Sequence, residues 1–339
     1  MTAPKVFSAC AVLFFYIHTY AQQSCSIAFV HLGQNLPPHI NSAIFQARLF
    51  NPTEDIYLLA NQNALNKEDV QLLLNNMRNT LEVKIIPIGT LHKSEEHKIF
   101  EEQSTHNKKF KNGFWRFTTE RFFVLDDFMQ QNNITDLVHL ENDTLLYRSL
   151  EELMPHFRAY YKGIGAVLSN DKLCIPCFVY IRDKKAIKKL ARYIAQRAQE
   201  GKNDMITLAA FKNNNPTTLI DSLPIISRAY VTQYGLRSIS GLSSHNPPKF
   251  YNHIDAFRSI FDGNAIGLYL GGVSHNNKPA EPGFIAPDCL FNPSLLDYQW
   301  EKDELGRNIP FMIFKGEQYR INNLHIYSKN LKKFLSLQK

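Results

Sequence analysis

The sequence contains no internal repeat and no low-complexity segment in its 339 residues, so repeat architectures are excluded. Beyond residue 17 no run is long and apolar enough to cross a bilayer. Cysteine is scarce, five in all. Cys174-Ile-Pro-Cys177 has neither a second C-x-x-C nor a histidine pair to complete a zinc site. It precedes a strand-like stretch, 178–181, rather than opening a helix, which argues against thioredoxin-like redox chemistry. Positive charge is present but not concentrated. The formal net charge is +7, and the densest basic run, 184–189, reads as one face of a helix, so no nucleic-acid partner is expected.

What is present is the composition of an ordinary globular protein, 44% hydrophobic and 20% charged. The length suffices for one large α/β domain or two small ones. At the N-terminus one lysine precedes an almost wholly apolar stretch, 6–17, and Thr19-Tyr20-Ala21 offers a cleavage site. That layout predicts a secretory signal peptide over residues 1–21 and a mature domain over 22–339. If the segment is retained instead, it tethers the chain to a membrane. Cleavage removes Cys10 and leaves Cys25, Cys174, Cys177 and Cys289 as structural cysteines, free to form disulfides in an exported protein.

From residue 26 onward, strand and helix patterns alternate. Strands are predicted at 26–32, 55–60 and 83–88, with helices at 40–50 and 66–80 between them. Two successive βα units argue for a parallel sheet with right-handed crossovers. Residues 90–112 are polar and read as a mobile surface loop or a short helix. A strong helix follows at 113–131, with Trp115, Thr118, Phe122, Leu125 and Met129 on one face. Arg121 falls beside that face, either steered inward toward an anionic ligand or snorkelling at the helix edge. Later come helices at 150–161 and 184–200, a strand at 163–168, and a shorter helix opened by Asn203-Asp204. Residues 213–248 look irregular, 288–315 hairpin-like, and the tail reads as a short strand, a turn and a basic helix.

The stretch 134–147, ITDLVHLENDTLLY, places Glu141 and Asp143 between two apolar groups. If the extended geometry persists, both carboxylates point to one side and Asn142 to the other. Two carboxylates within a buried segment are costly unless paired or metal-bound. Convergent carboxylates hold hard divalent cations, which in turn bridge phosphate oxygens.

A hydrophobic strand, Glu141-Asn142-Asp143, then a second hydrophobic group resembles the D-x-D region of the GT-A fold nucleotide-sugar glycosyltransferases. The resemblance implies a single GT-A-like (Rossmann-like) mixed sheet flanked by helices over roughly residues 27–334. It implies Mn²⁺ or Mg²⁺ as cofactor, a nucleotide-sugar donor, and a glycan or other hydroxyl acceptor. On it, Glu141, Asp143 and His325 hold the metal, with His275 as a rival third ligand. Asn35, Pro37, Asn61, Arg121, Asn142, Ser328 and Lys329 form the donor side, and Asn203, Gly271 and Gly272 the acceptor side. Asp204 is the catalytic base of an inverting reaction or, on the residues alone, part of a helix cap. The motif departs from the family in opening with Glu, and Tyr327 and Ser328 stand where relatives often carry His or Gly.

Two other readings compete. A secreted carbohydrate-binding protein of the same fold would keep the sheet without turnover. A nucleotidyltransferase would carry a Gly-rich phosphate loop after the first strand, which Gly33-Gln34-Asn35-Leu36-Pro37-Pro38 does not resemble.

Overall fold

A computed structural model describes residues 25–107, 109–214, 220–273 and 279–337. The expected signal segment 1–21, Cys10 and His275 lie outside the described residues. The chain runs β1 (Ser26–His31), α1 (Ile40–Phe50), β2 (Asp55–Ala60), α2 (Gln62–Leu65), α3 (Gln71–Asn79), β3 (Val83–Pro87), α4 (Glu95–Gln103) and α5 (Phe114–Asn132). It continues through β4 (Leu137–Leu140), β5 (Thr144–Leu146), α6 (Leu150–Tyr160), β6 (Ile164–Asn170), β7 (Leu173–Ile181), α7 (Lys184–Ala195), α8 (Asp204–Asn214) and β8 (Ile220–Ser222). The last part comprises α9 (Arg228–Tyr234), α10 (Ile254–Phe257), β9 (Ser259–Ile260), α11 (Ile266–Gly271), β10 (Asp297–Lys302), β11 (Asn308–Phe314), β12 (Glu317–Ile321) and β13 (Asn323–His325).

Seven strands form a mixed sheet in the order β3-β2-β1-β4-β7-β6-β8. β3, β2, β1 and β4 run parallel, as the βα alternation predicts, and β7 runs antiparallel to both β4 and β6. Ile27, Ala28 and Phe29 in β1, and Leu137, Val138 and Leu140 in β4, have no solvent exposure. Such runs, apolar on both faces, belong to central strands covered by helices on each side. β4 therefore delivers its carboxyl end, and the acidic motif after it, to the middle of the sheet edge where ligands of open α/β sheets bind.

α5 is the longest helix, and its residues Thr119–Met129 are all buried. It starts at Gly113, whose φ of +88° needs no Cβ, and stops at Asn133 in the left-handed region. α7 shows the expected amphipathic pattern. Asp183 caps it by accepting from Ala186 N at 2.9 Å.

Several expectations are corrected. The polar stretch 90–112 holds α4, capped by Ser94 and packed through His97 and Phe100, so it takes the helical of the two readings. Its apolar stripe is short, and the buried His97 hides it. Burial lowers the pKa of His97, but Asp127 and Glu120 outweigh it and raise it to about 9. The helix expected at 66–80 begins only at Gln71. The C-x-x-C lies within β7 rather than before it, and all four described cysteines are buried and free. The irregular 213–248 contains β8 and α9. The expected basic tail helix is one short turn, Leu331–Phe334. A hairpin, β10–β11, forms where expected and is extended by β12 and β9 into a four-stranded sheet.

Candidate functional site

The acidic motif does not stay extended. β4 ends at Leu140, Thr144 N bonds back to Glu141 O at 3.0 Å, and the chain turns into β5. The extended geometry does not persist through the motif, and the reason is pairing. β4 belongs to the large sheet, whereas β5 pairs antiparallel with β13 in a separate two-stranded sheet. In that register His325 stands opposite Thr144, and Ile326 N donates to Asp143 O at 2.9 Å. The turn and the tail strand thus meet by backbone bonding.

The side chains converge. His325 Nε2 lies 3.3 Å from Glu141 Oε2 and 3.2 Å from Asp143 Oδ1. Its other nitrogen, Nδ1, donates to the Gly263 carbonyl at 2.8 Å, which fixes the ring and aims Nε2 at the two carboxylates. Burial disfavours the imidazolium, but Tyr327, Cys177 and Glu141 outweigh it and raise the His325 pKa well above its ordinary value. Lys329, at φ +62° after a turn bonded to Ile326 O, places its ammonium on Asp143 Oδ2. Protein cations therefore balance charges that a divalent ion would otherwise meet, and binding one would displace a proton.

Arg121 is buried in α5 and shared between two carboxylates, Glu141 Oε1 through one guanidinium nitrogen and Asp204 Oδ2 through another. One positive charge between two anions leaves them unequal. Burial would raise the Glu141 carboxyl, but Arg121 and His325 hold it below the usual range. Burial pushes the Asp204 carboxyl up, with the charge of Glu141 adding to it and Arg121 opposing. Thr118 Oγ1 donates to the remaining Asp204 oxygen at 3.2 Å. Removing the cation strands Asp204 in the interior and leaves the partly buried Glu141 with His325 alone. Arg121→Met is expected to cost about 3–5 kcal/mol of unfolding free energy, read by urea denaturation. A loss below about 0.5 kcal/mol would mean that the two carboxylates are not both ionised.

These groups line a cavity of about 1080 Å³ at the carboxyl ends of β1 and β4. That volume suits a ligand of nucleotide-sugar size. Gln34, Asn35, Trp115, Ile175 and Val273 are among its other walls. Arg121 Nε, Asn142 Oδ1 and His31 Nε2 are buried polar atoms of lining residues without hydrogen-bond partners among the described residues.

The sequence matches no protein-family profile and no curated protein. In fold the chain is similar to solved glycosyltransferases. Mouse xyloside xylosyltransferase 1 is 10% identical, with 62% of this chain and 90% of that one covered, at a TM-score of 0.43. An active-site mutant of LgtC is 11% identical, with 66% and 81% covered, at 0.42. A cytidylyltransferase from Leptospira borgpetersenii is also similar, at 12% identity, 60% and 76% coverage, and 0.36. These scores are too low to say what this chain does, so its chemistry is read from its own side chains.

Of the residues expected at the site, Glu141, Asn142, Asp143, His325, Lys329, Arg121, Asp204 and Asn35 line the cavity. The others are placed elsewhere. Pro37 forms the turn before α1, its carbonyl accepting from Ile40 N at 3.1 Å. Asn61 starts α2 and donates to Leu32 O, bracing the β1 loop from its neighbour strand. Asn203 caps α8 by accepting from Ile206 N at 3.0 Å, so the cap belongs to Asn203 and Asp204 is left for Arg121. Ser328 is absent from the cavity wall, and its buried hydroxyl lies near Gly271. Gly271 and Gly272, expected on the acceptor side, are not among the residues that line the cavity. A Cβ on Gly271 would stand 3.3 Å from Ile326 Cγ2, and Gly272, at φ +68°, lies against the Glu281 backbone. Their neighbour Val273 reaches the cavity instead.

Sequence reasoning missed His31, Asp262, Gly263 and Gly267. Asp262 accepts from Ile266 N, Gly267 N and His325 N, each at 2.9 Å, and so ties the start of α11 to the tail strand. The glycine density around residues 263–272 was the available signal, since it marks close backbone approach.

Proposed function

We propose that the chain is a metal-dependent glycosyltransferase that moves a sugar from a nucleotide-diphosphate donor to a glycan or other hydroxyl acceptor. The observation that carries this reading is the convergence of His325 Nε2 on Glu141 and Asp143, 3.3 and 3.2 Å away, beside a cavity of about 1080 Å³. One imidazole and two carboxylates are a donor set suited to Mn²⁺ or Mg²⁺, and the Gly263 carbonyl fixes the ring in the orientation a ligand needs. Glu141, Asp143 and His325 would hold the ion, which supplies Lewis-acid stabilisation of the departing diphosphate.

The remaining residues act around that centre. Arg121, locked between Glu141 and Asp204, holds the two carboxylates in place at the cavity wall and offsets part of their charge. Lys329 is half-exposed and sits on a turn, so its ammonium is free to leave Asp143 for a phosphate oxygen. Asn142 and His31 present buried polar atoms for the nucleotide. Asp204 faces the cavity with both oxygens engaged, by Thr118 and Arg121. Acting as the base of an inverting reaction therefore requires Arg121 to release Oδ2, whereas a retaining reaction needs no base there.

The test incubates the purified protein with a panel of nucleotide sugars, with and without Mn²⁺. Release of nucleoside diphosphate from at least one donor, only with the ion, is the expected result. Donor binding without release identifies a carbohydrate-binding protein instead. In the same assay Lys329→Ala should weaken nucleoside diphosphate binding about tenfold, since a hydrogen bond to a charged partner contributes about 1.5–3 kcal/mol. Calorimetry in the presence of Mn²⁺ reads this, and unchanged affinity removes Lys329 from the donor side.

A further inference from the structure

A second group of ligand-type side chains lies where α4 packs on α5. α4 carries His97 and Glu101 one turn apart on one face, and α5 carries Glu120 and Asp127. One donor atom each of His97, Glu101 and Glu120 lies within 4.8 Å of the others. His97 is 1% exposed. Its Nδ1 is held by Asp127 Oδ2 at 2.6 Å, and Asp127 Oδ1 is in turn fixed by Ser94 N at 2.8 Å. That anchoring turns Nε2 into the cluster, where it has no hydrogen-bond partner. Glu120 Oε1 stands 3.6 Å away, an ion-pair distance beyond hydrogen-bond reach, so a metal ion would displace the Nε2 proton that Asp127 and Glu120 favour.

Neither carboxylate is fully engaged by its neighbouring cation. Arg116 Nε takes Glu120 Oε2 at 3.2 Å and leaves Oε1 toward His97. Lys93 takes Glu101 Oε1 at 2.5 Å, at a site where both side chains are partly exposed and able to move. A carboxylate that holds one imidazole nitrogen, so that the other faces two further carboxylates, orients a histidine as metal-binding histidines are oriented. Arms of about 2.0–2.2 Å bring ligand atoms somewhat closer than this cluster holds them, so Glu101 has to swing inward by roughly an ångström.

We propose that His97, Glu101 and Glu120 form a binding site for a zinc-type divalent cation, with Asp127 as the residue that positions His97. One imidazole and two carboxylates leave a fourth, water-filled position around Zn²⁺. The ion would staple α4 to α5. This site shares no residue with the cavity, so it stands whether or not the chain transfers sugars.

The test separates the two sites. An Asp143→Asn/His325→Ala variant, which lacks ligands at the cavity, is dialysed against Zn²⁺ at pH 7.5 and its bound metal measured. About one zinc per chain is expected, together with a rise in Tm. Adding Glu101→Gln, a partly exposed position that leaves the core intact, should raise the Zn²⁺ Kd at least tenfold. Asp127→Asn should raise it by about 10- to 100-fold, the usual cost of losing such a partner. Less than a tenth of a zinc per chain, or one zinc insensitive to Glu101→Gln, would show an ion-pair network only and overturn the proposal.

Discussion

Asp143→Asn is expected to lower Mn²⁺-dependent release of nucleoside diphosphate by about a thousandfold, with the fold intact. Asp143 sits at the end of the turn between β4 and β5, with one oxygen toward His325 and the other on Lys329. A metal ion at such a site contributes several kcal/mol of charge stabilisation as the diphosphate departs. Each 1.36 kcal/mol is a factor of ten in rate, so losing about 4 kcal/mol gives the stated fall. Folding is spared because Asp143 enters the tail contact through its carbonyl, bonded to Ile326 N, which asparagine keeps. Glu141→Gln should affect turnover less but stability more, since Glu141 is also a partner of the buried Arg121. Product release, Mn²⁺ titration and thermal melting on both variants check this. Full activity in Asp143→Asn would end the metal reading.

The readable parts of the sequence were those in which a local pattern carries the fold. β1, β2, α1 and α5 followed from periodicity, capping and length, and β4 from an apolar run of the right size. The meeting of Glu141 and Asp143 was expected for a different reason from the one observed. An extended strand would align them, but the structure brings them together through a turn and the docking of β13. Nothing local announces that docking. β5 and β13 are three residues each, too short for a pattern to fix their register, and some 180 residues separate them. The placement of His325 therefore came from the resemblance and the ligand chemistry, not from any local pattern. Asp262 was invisible for the same reason. Its value lies in two backbone N–H groups, of Gly267 and His325, that are far apart in sequence. Gly271 and Gly272 were less legible, because glycine signals close approach without saying what approaches.

Gly267→Ala should weaken Mn²⁺ binding at least tenfold although Gly267 is not one of the proposed ligands. A Cβ there would stand 2.2 Å from the carbonyl oxygen of His325 and 2.7 Å from Asp262 Oδ2. The first contact is with backbone, so no rotamer change relieves it. Either α11 or β13 has to move. Both are tied to the Asp262 carboxylate, so the shift passes into the strand that carries the imidazole. Overpacking of this kind costs about 1–3 kcal/mol, and an ångström of displacement at His325 spoils a ligand set whose geometry is fixed on both nitrogens. Gly271→Ala is the control. Its nearest contacts would be side-chain atoms, Ile326 Cγ2 at 3.3 Å, the Ser328 hydroxyl at 3.4 Å and Phe334 Cε2 at 3.6 Å, which small side-chain shifts absorb. Mn²⁺ affinity and urea stability measured on both variants separate the outcomes. If Gly267→Ala binds Mn²⁺ as tightly as the parent, the tail strand does not position the third ligand, and His325 has to be removed from the metal site.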